Sequence, residues 1–197
     1  MSAPGLILLD RDGVLNRMVV DLEHGTVDSP LHPAQVEVPP EVPGVLARLN
    51  AAGYGLAICS NQPAAAKGKT TRGNLEATHA AIVEGLEAAG ARILSSHLCF
   101  HRAEDQCRCR KPKPALLLEA LAAHPRHERS RSWMVGDGVF DVEAGSAAGL
   151  KTAFLAPRRC EWCAVVQARG LRPDFWGSSL EQFAEYLLDD NGGGRHG

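Results

Sequence analysis

Three short apolar runs, LILLD (Leu6–Asp10), YGLAICSN (Tyr54–Asn61) and SWMVGD (Ser132–Asp137), each stop at a polar residue. Runs this apolar, with no polar alternation, read as strands buried on both faces, as in a parallel sheet. Helical patterns lie between them. Leu75, His79, Ile82, Leu86 and Ala89 recur at spacings of 4, 3, 4 and 3, giving one apolar face. Thr70 or Thr71 can cap that helix, and Gly90 lies just past its end. Residues 114–123 and 178–188 are also helix-like, and another helix follows Pro43 and stops at Gly53. Thr152–Leu155 and Asp174–Trp176 are candidates for further short strands. Alternating strands and helices predict an α/β fold: a doubly wound, Rossmann-like, mostly parallel sheet with helices on both faces. Ligands gather at the carboxyl ends of such strands. Asp10, Ser60 and Asp137 stand at those ends, so three distant residues are predicted to share one crevice.

Composition narrows the class. The chain has 197 residues, 45% hydrophobic and 22% charged, which suits one globular domain and excludes whole-chain disorder. Lys+Arg 21 against Asp+Glu 23 leaves net charge -2, without the basic field of a nucleic-acid binder. No apolar run approaches the ~20 residues of a membrane span. The start, MSAPGLILLDRDG, lacks a basic n-region and a cleavage-like site, and its short apolar run ends in charge, so a cytoplasmic protein is expected. Two segments carry little periodicity. Residues 17–40 hold Pro30, Pro33, Pro39 and Pro40, and residues 100–112 are crowded with Cys and Arg. Loops this long in a compact domain tend to be functional. The domain is taken as residues 1–190, with a disordered tail over 191–197.

LLDRDGVLN puts Asp10 at a strand end and Asp12 two residues on, so alternation aims both carboxylates to one side. Two such groups repel unless a cation holds them, and Mg²⁺, which prefers oxygen ligands, is the natural candidate; Asp137 can complete its site. A carboxylate can also attack phosphorus while its neighbour serves as acid and base. On its own an Asp-x-Asp pair is more often a plain turn. The cluster from Arg108 to Lys113 offers a bidentate fork, Arg110, and a point charge, Lys111, but equally suits a surface patch.

The six cysteines do not read as disulfides in a reducing compartment. Cys99-x-His101-x5-Cys107-x-Cys109 supplies three thiolates and an imidazole, a closed Cys₃His set suited to structural zinc. Zinc would fold a loop with few apolar residues and fix Arg110 and Lys111 beside it. Cys160-Glu-Trp-Cys163 has redox or zinc-pair spacing, but no partner ligands follow, so two unassigned thiols at the start of a late helix are the simpler reading. Cys59 reads as a small buried hydrophobe, His79 as a core or boundary histidine, and His97 as a bystander near the zinc set.

These motifs, in this order, resemble the haloacid dehalogenase phosphatases. Their four signatures match Asp10-Arg-Asp12-Gly, Ser60, Lys111, and Gly136-Asp137 with Asp141, over about Leu6 to Leu155. The resemblance implies that Asp10 attacks the phosphoryl group and Asp12 acts as acid, then base. Ser60 and Lys111 hold phosphoryl oxygens, and Mg²⁺ sits on Asp10, Asp137 and the backbone carbonyl of Asp12. The zinc loop followed by CRCRKPKP, with DRDGVLN and Ser60-Asn61-Gln62, is similar to one branch of these enzymes. That branch includes the heptose 1,7-bisphosphate 7-phosphatases and histidinol phosphatase. It implies substrate contacts from Asn61, Gln62, Arg110 and, through a looser match, Glu23, His24, Gly25 and Thr26. It also implies a small phosphorylated substrate, the sugar D-glycero-D-manno-heptose 1,7-bisphosphate first and the amino-alcohol histidinol phosphate second; the chain is expected to be a monomer. Gly138 stands where the heptose enzymes commonly carry Lys; Lys67 is a possible substitute. Asp12 and Ser60 lie 48 residues apart, and Ser60 and Lys111 lie 51 apart, too close for a cap domain between them. A non-catalytic module using the zinc loop as an interaction surface is the rival of another class.

Overall fold

A computed structural model describes residues 5–23, 25–157 and 160–192. His24 and residues 193–197 of the predicted tail lie outside these, and so do the side chains of Cys160 and Cys163. The chain begins with β1 (Leu6–Leu9), then forms an antiparallel hairpin of β2 (Val19–Asp21) and β3 (Thr26–Asp28) before α1 (Val42–Ala51). It continues through β4 (Gly55–Asn61), α2 (Arg72–Ala88), β5 (Ser95–Cys99), α3 (Ala115–Ala123) and β6 (Trp133–Gly136). The last elements are α4 (Val139–Ala147), β7 (Lys151–Leu155), α5 (Cys160–Ala168), β8 (Phe175–Gly177) and α6 (Leu180–Gly192).

Six strands form one parallel sheet in the order β5-β4-β1-β6-β7-β8. From β1 the chain builds outward through β4 to β5, then returns to β6 on the other side and builds outward again. The crevice at the carboxyl end of β1, between β4 and β6, is therefore the topological switch point where ligands of doubly wound sheets sit. Register fixes what arrives there: Leu9 pairs with Ile58 on one side and Val135 on the other. Asp10, Ser60 and Asp137 follow one or two residues later on their strands, as the apolar runs predict.

The alternation of β1 divides the core. Ile7 and Leu9 pack with Val45, Leu46 and Leu49 of α1, Ile82 and Leu86 of α2, and Phe183 and Leu187 of α6. Leu6 and Leu8 pack on the opposite face with Leu116, Leu117 and Ala120 of α3 and Ala144 of α4. Each such side chain, fully removed from water, contributes roughly 1.5–3 kcal/mol. The centre of the sheet is thus a rigid platform for the residues beyond its strand ends. Thr71 caps α2, its Oγ1 accepting from Asn74 N at 3.1 Å.

Four elements lack a strong sequence signal. β2 and β3 are three residues each and largely exposed, inside the stretch that shows no periodicity. β5 is an edge strand and only half-buried. The buried face of α4 is made of Asp141, Val142, Ala144 and Gly145, too small and too polar to register as an apolar stripe. At Gly145 a Cβ would lie 2.6 Å from Thr152 Cγ2 and 2.8 Å from Met134 Cβ, so the missing side chain lets α4 lie close on the sheet. Among the described residues, no helix is long and apolar enough to cross a membrane.

Candidate active site

The sheet brings Asp10 and Asp137 together and adds Asp141 from the first turn of α4. One carboxylate oxygen from each of the three lies within 4.8 Å of the others. Lys111 enters this cluster from the loop before α3. Its Nζ, 2% exposed, lies 3.1 Å from Asp10 Oδ1 and 2.6 Å from Asp141 Oδ1, and donates to the Cys59 carbonyl at 2.8 Å. Burial works against the ammonium charge, but Asp10 and Asp141 outweigh it and hold Lys111 above the usual lysine range. Burial, reinforced by repulsion from Asp10 and Asp141, pushes Asp137 up to about 7 despite Lys111. Burial also pushes Asp141 up to about 6, opposed by Lys111. Asp141 has both oxygens engaged, because Oδ2 accepts from the Gly138 N–H at 3.0 Å.

The turn after β1 is shaped around Asp137. Gly13 adopts φ +81, and a Cβ there would lie 2.1 Å from Asp137 Oδ2. Glycine is required on both counts: it tolerates the left-handed backbone and leaves the space the carboxylate fills.

Asp12 is placed differently from Asp10. Its carboxylate is not in the three-carboxylate cluster but faces Arg11, Asn16 and Gln62. Gln62 Nε2 donates to Asp12 Oδ2 at 2.6 Å and lies 3.1 Å from Ser60 Oγ, while its Oε1 accepts from Arg11 Nη2 at 2.7 Å. Ser60 Oγ thus accepts from Gln62 and keeps its own O–H to donate. Asn61 is committed to Lys111: its Oδ1 accepts from Lys111 N and its Nδ2 donates to Lys111 O, each at 3.1 Å. These two bonds imitate a strand ladder and hold the lysine's backbone against the end of β4.

Cys99, His101, Cys107 and Cys109 converge as the spacing predicts, with one ligand atom from each within 4.8 Å of the rest. The sulfur pairs are 3.3, 3.5 and 3.7 Å apart, and His101 Nδ1 lies 3.4 Å from Cys109 Sγ and 3.7 Å from Cys99 Sγ. A tetrahedron with zinc–sulfur bonds of about 2.3 Å has edges of roughly 3.8 Å, so the donor atoms fit such a site. Burial, then the neighbouring Cys99 and Cys107 thiols, push Cys109 up to about 12. Without a cation, that thiol keeps its proton.

The loop is joined to the carboxylates through its cations. Arg110, half-buried, donates from Nη1 to the His101 carbonyl at 3.1 Å. Lys113 Nζ donates to the Gln106 and Cys107 carbonyls at 2.9 and 2.6 Å. A cavity of about 190 Å³ lined by Arg102, Arg110, Lys111, Lys113 and Phe140 opens beside the cluster. A larger cavity of about 510 Å³, between residues 13–20 and the start of α6, contains none of the three clustered carboxylates.

Glu23, Gly25 and Thr26 lie exposed on the hairpin, and Lys67 is exposed on the turn after β4. His79 is partly buried; burial and then the Arg11 charge push it down to about 4, so it is neutral at pH 7. Cys59 is fully buried, as expected of a small hydrophobe. Sequence reasoning missed Arg11 and Asn16. Arg11 stood in view as a charge flanked by two aspartates, in a turn too short to expose it.

The family model for haloacid dehalogenase-like hydrolases matches residues 31–149. A Pseudomonas aeruginosa D-glycero-beta-D-manno-heptose-1,7-bisphosphate 7-phosphatase is 35% identical over 142 residues, 72% of this chain and 75% of that protein. A Mycobacterium tuberculosis protein named for the alpha anomer of the same substrate is 32% identical over 137 residues, 70% of this chain and 69% of its own. The crystal structure of a B. bronchiseptica D,D-heptose 1,7-bisphosphate phosphatase, complexed with magnesium and phosphate, superposes with a TM-score of 0.78 at 26% identity. That match covers 94% of this chain and 99% of the other.

Proposed function

The chain belongs to the haloacid dehalogenase-like hydrolase family, and from that premise we propose that it is a Mg²⁺-dependent phosphatase acting through Asp10. Its proposed reaction removes the 7-phosphate of D-glycero-D-manno-heptose 1,7-bisphosphate. The carrying observation is Asp10 at the switch point, 3.1 Å from a buried lysine and grouped with Asp137 and Asp141. Three carboxylates facing one ammonium leave an excess of negative charge, and their oxygens are the ligands a hard divalent cation prefers. Asp10 and Asp137, with the Asp12 backbone carbonyl, would hold Mg²⁺, which supplies positive charge to the phosphoryl oxygens when bound. Asp141, already tied to Lys111 and Gly138, supports them from behind.

In this reading an Asp10 oxygen attacks phosphorus as the bond to the leaving oxygen breaks, and Asp12 delivers a proton to that oxygen. Asp12 then takes a proton from water, whose oxygen attacks the aspartyl-phosphate and releases Asp10. The Ser60 hydroxyl donates to a phosphoryl oxygen, and Lys111 offsets charge shared between phosphate and Asp10. Phosphoryl transfer depends on positioning and charge compensation, and the rigid strand ends supply the first. Zinc at Cys99, His101, Cys107 and Cys109 would order the loop that carries Arg110 and Lys111. Arg110 faces the cavity beside the cluster and is the nearest fit for the sugar or its second phosphate. Glu23, His24, Gly25 and Thr26 and the side chains of Asn61 and Gln62 complete the proposed contact set, the latter two through Lys111 and Asp12.

The test is phosphate release from both anomers of the heptose bisphosphate and from histidinol phosphate, with and without Mg²⁺. A heptose anomer is expected to give the highest kcat/KM, and Asp10→Asn is expected to abolish turnover. Preference for histidinol phosphate would move the substrate assignment within the branch. Activity that survives Asp10→Asn would overturn the mechanism, and no hydrolysis at all would favour the non-catalytic module.

A further inference from the structure

We propose that Arg11 is the positioning residue of Asp12, holding the proton-transferring carboxylate in register with the leaving oxygen; this rests on the phosphatase reading above. Arg11 is 0% exposed, although it carries a permanent charge and lies in the turn that forms the active site. Burying a guanidinium is costly unless an anion pairs with it in good geometry. Among the described residues the anion in ion-pair contact with it is Asp12. Arg11 Nε and Nη2 reach Asp12 Oδ1 at 3.0 and 2.9 Å, and Nη2 reaches Oδ2 at 3.0 Å. Asn16 Nδ2 adds a third donor to Oδ1 at 3.0 Å, and Gln62 Nε2 meets Oδ2 at 2.6 Å. Oδ1 carries three donors and Oδ2 two, so the proton is assigned to Oδ2, the less crowded oxygen.

The same residue also holds the nucleophile. The Arg11 backbone N–H donates to Asp10 Oδ1 at 2.7 Å, so one residue grips Asp10 with its main chain and Asp12 with its side chain. Nη1 has no hydrogen-bond partner and is buried, so the guanidinium cannot reach substrate. Its place is behind Asp12. Gln62 completes the frame by bridging Arg11, Asp12 and Ser60, which ties the proton donor to the phosphate-binding hydroxyl.

The distinguishing readout is leaving-group dependence. Asp12 is needed in the first step only when the departing oxygen requires a proton, as a sugar alkoxide does and p-nitrophenolate does not. kcat/KM reports that step. With full-length, Mg²⁺-loaded enzyme, Arg11→Met is expected to lower kcat/KM for the sugar bisphosphate about 100-fold, the scale of a misplaced general acid. For p-nitrophenyl phosphate the loss is expected to stay below about tenfold, with Asp12→Asn setting the full size of the contrast. Equal losses on both esters would overturn the proposal, because a merely structural arginine damages both alike. If Arg11→Met does not fold by circular dichroism, Gln62→Met removes the other side of the clamp and must show the same contrast. A wild-type enzyme that hydrolyses neither ester, or that keeps its activity in Asp10→Asn, overturns the phosphatase reading instead.

Discussion

Metal-free protein is expected to lose stability as pH rises from about 4 to 7, and Mg²⁺ is expected to reverse that loss. The group responsible is Asp137, raised from 3.8 to about 7 by burial and then by Asp10 and Asp141. A folded-state value above the unfolded one means that the folded protein binds more protons between these pH values. Its contribution is therefore complete below about 4 and is lost as pH rises through about 7. A shift of about three units at 1.36 kcal/mol each sets the scale at roughly 4 kcal/mol. Asp141, raised to about 6, acts in the same direction over a narrower window. A divalent cation on the ionised cluster replaces the proton, so binding releases one. Apparent Mg²⁺ affinity should then fall about tenfold per pH unit below 7 and level off above it. Unfolding midpoints with and without saturating Mg²⁺, in buffers free of chelators that would also strip the cysteine site, measure the first effect. Calorimetric titration at pH 5, 6, 7 and 8 measures the second. A Mg²⁺-induced gain in midpoint equal at pH 5 and pH 8 would mean that no proton is displaced and that Asp137 is already ionised at pH 5.

The same geometry fixes the sign of three other changes. Gly13→Ala places a methyl where Asp137 Oδ2 sits, 2.1 Å away, on a backbone at φ +81. Mg²⁺ affinity and kcat should both fall by about 100-fold or more while the fold survives, as judged by circular dichroism. Cys109→Ser should reduce bound zinc measured by elemental analysis and raise KM more than it lowers kcat, because the Cys109 loop orders Arg110, whereas Lys111 is also held by Asn61 and Cys59 and Asp10 directly follows β1. Gly138→Lys is a gain test: φ -108 and ψ 149 suit any residue, and its Cβ would meet Asp141 Oδ2 at 3.1 Å, a contact that yields to a small shift. It should lower KM for a bisphosphate more than for a monophosphate, measured in parallel.

Much of this site is legible in the chain because its parts sit at the ends of strands whose burial is unmistakable. Leu6 to Leu9, Gly55 to Ser60 and Trp133 to Gly136 are buried without a break, so their register is pinned by packing on both faces. Once three parallel strands are pinned, the polar residue after each must arrive at the same edge. The thiol loop is legible for a different reason: four ligand-type residues in eleven positions can converge without help from the rest of the fold. The hairpin of β2 and β3 belongs to neither case. Val20, Leu22 and Val27 are 60%, 90% and 62% exposed, so no buried face imposes a period on it.

What the chain hides is the direction in which side chains turn after the strands end. Alternation predicts that Asp10 and Asp12 face the same side, which holds while the backbone stays extended. At Gly13 the backbone turns left-handed, and Arg11 O accepts from Leu15 N at 2.8 Å and Asn16 N at 3.2 Å. The turn closes on itself, and the Asp12 carboxylate meets Arg11, Asn16 and Gln62 while the Asp10 carboxylate joins Asp137. Composition is equally silent about Asn61, whose amide serves the Lys111 backbone 50 residues away. Such roles depend on which donors remain unpaired once the sheet is assembled, a property of the folded chain alone. Asp10, Asp12, Asp137 and Asp141 face Lys111 and Arg11, a local excess of two negative charges that one divalent cation cancels. Arg11 is half of the protein's own share of that neutralisation. It is spent on Asp12, so the cation is left to Asp10 and Asp137, where the phosphoryl group must arrive.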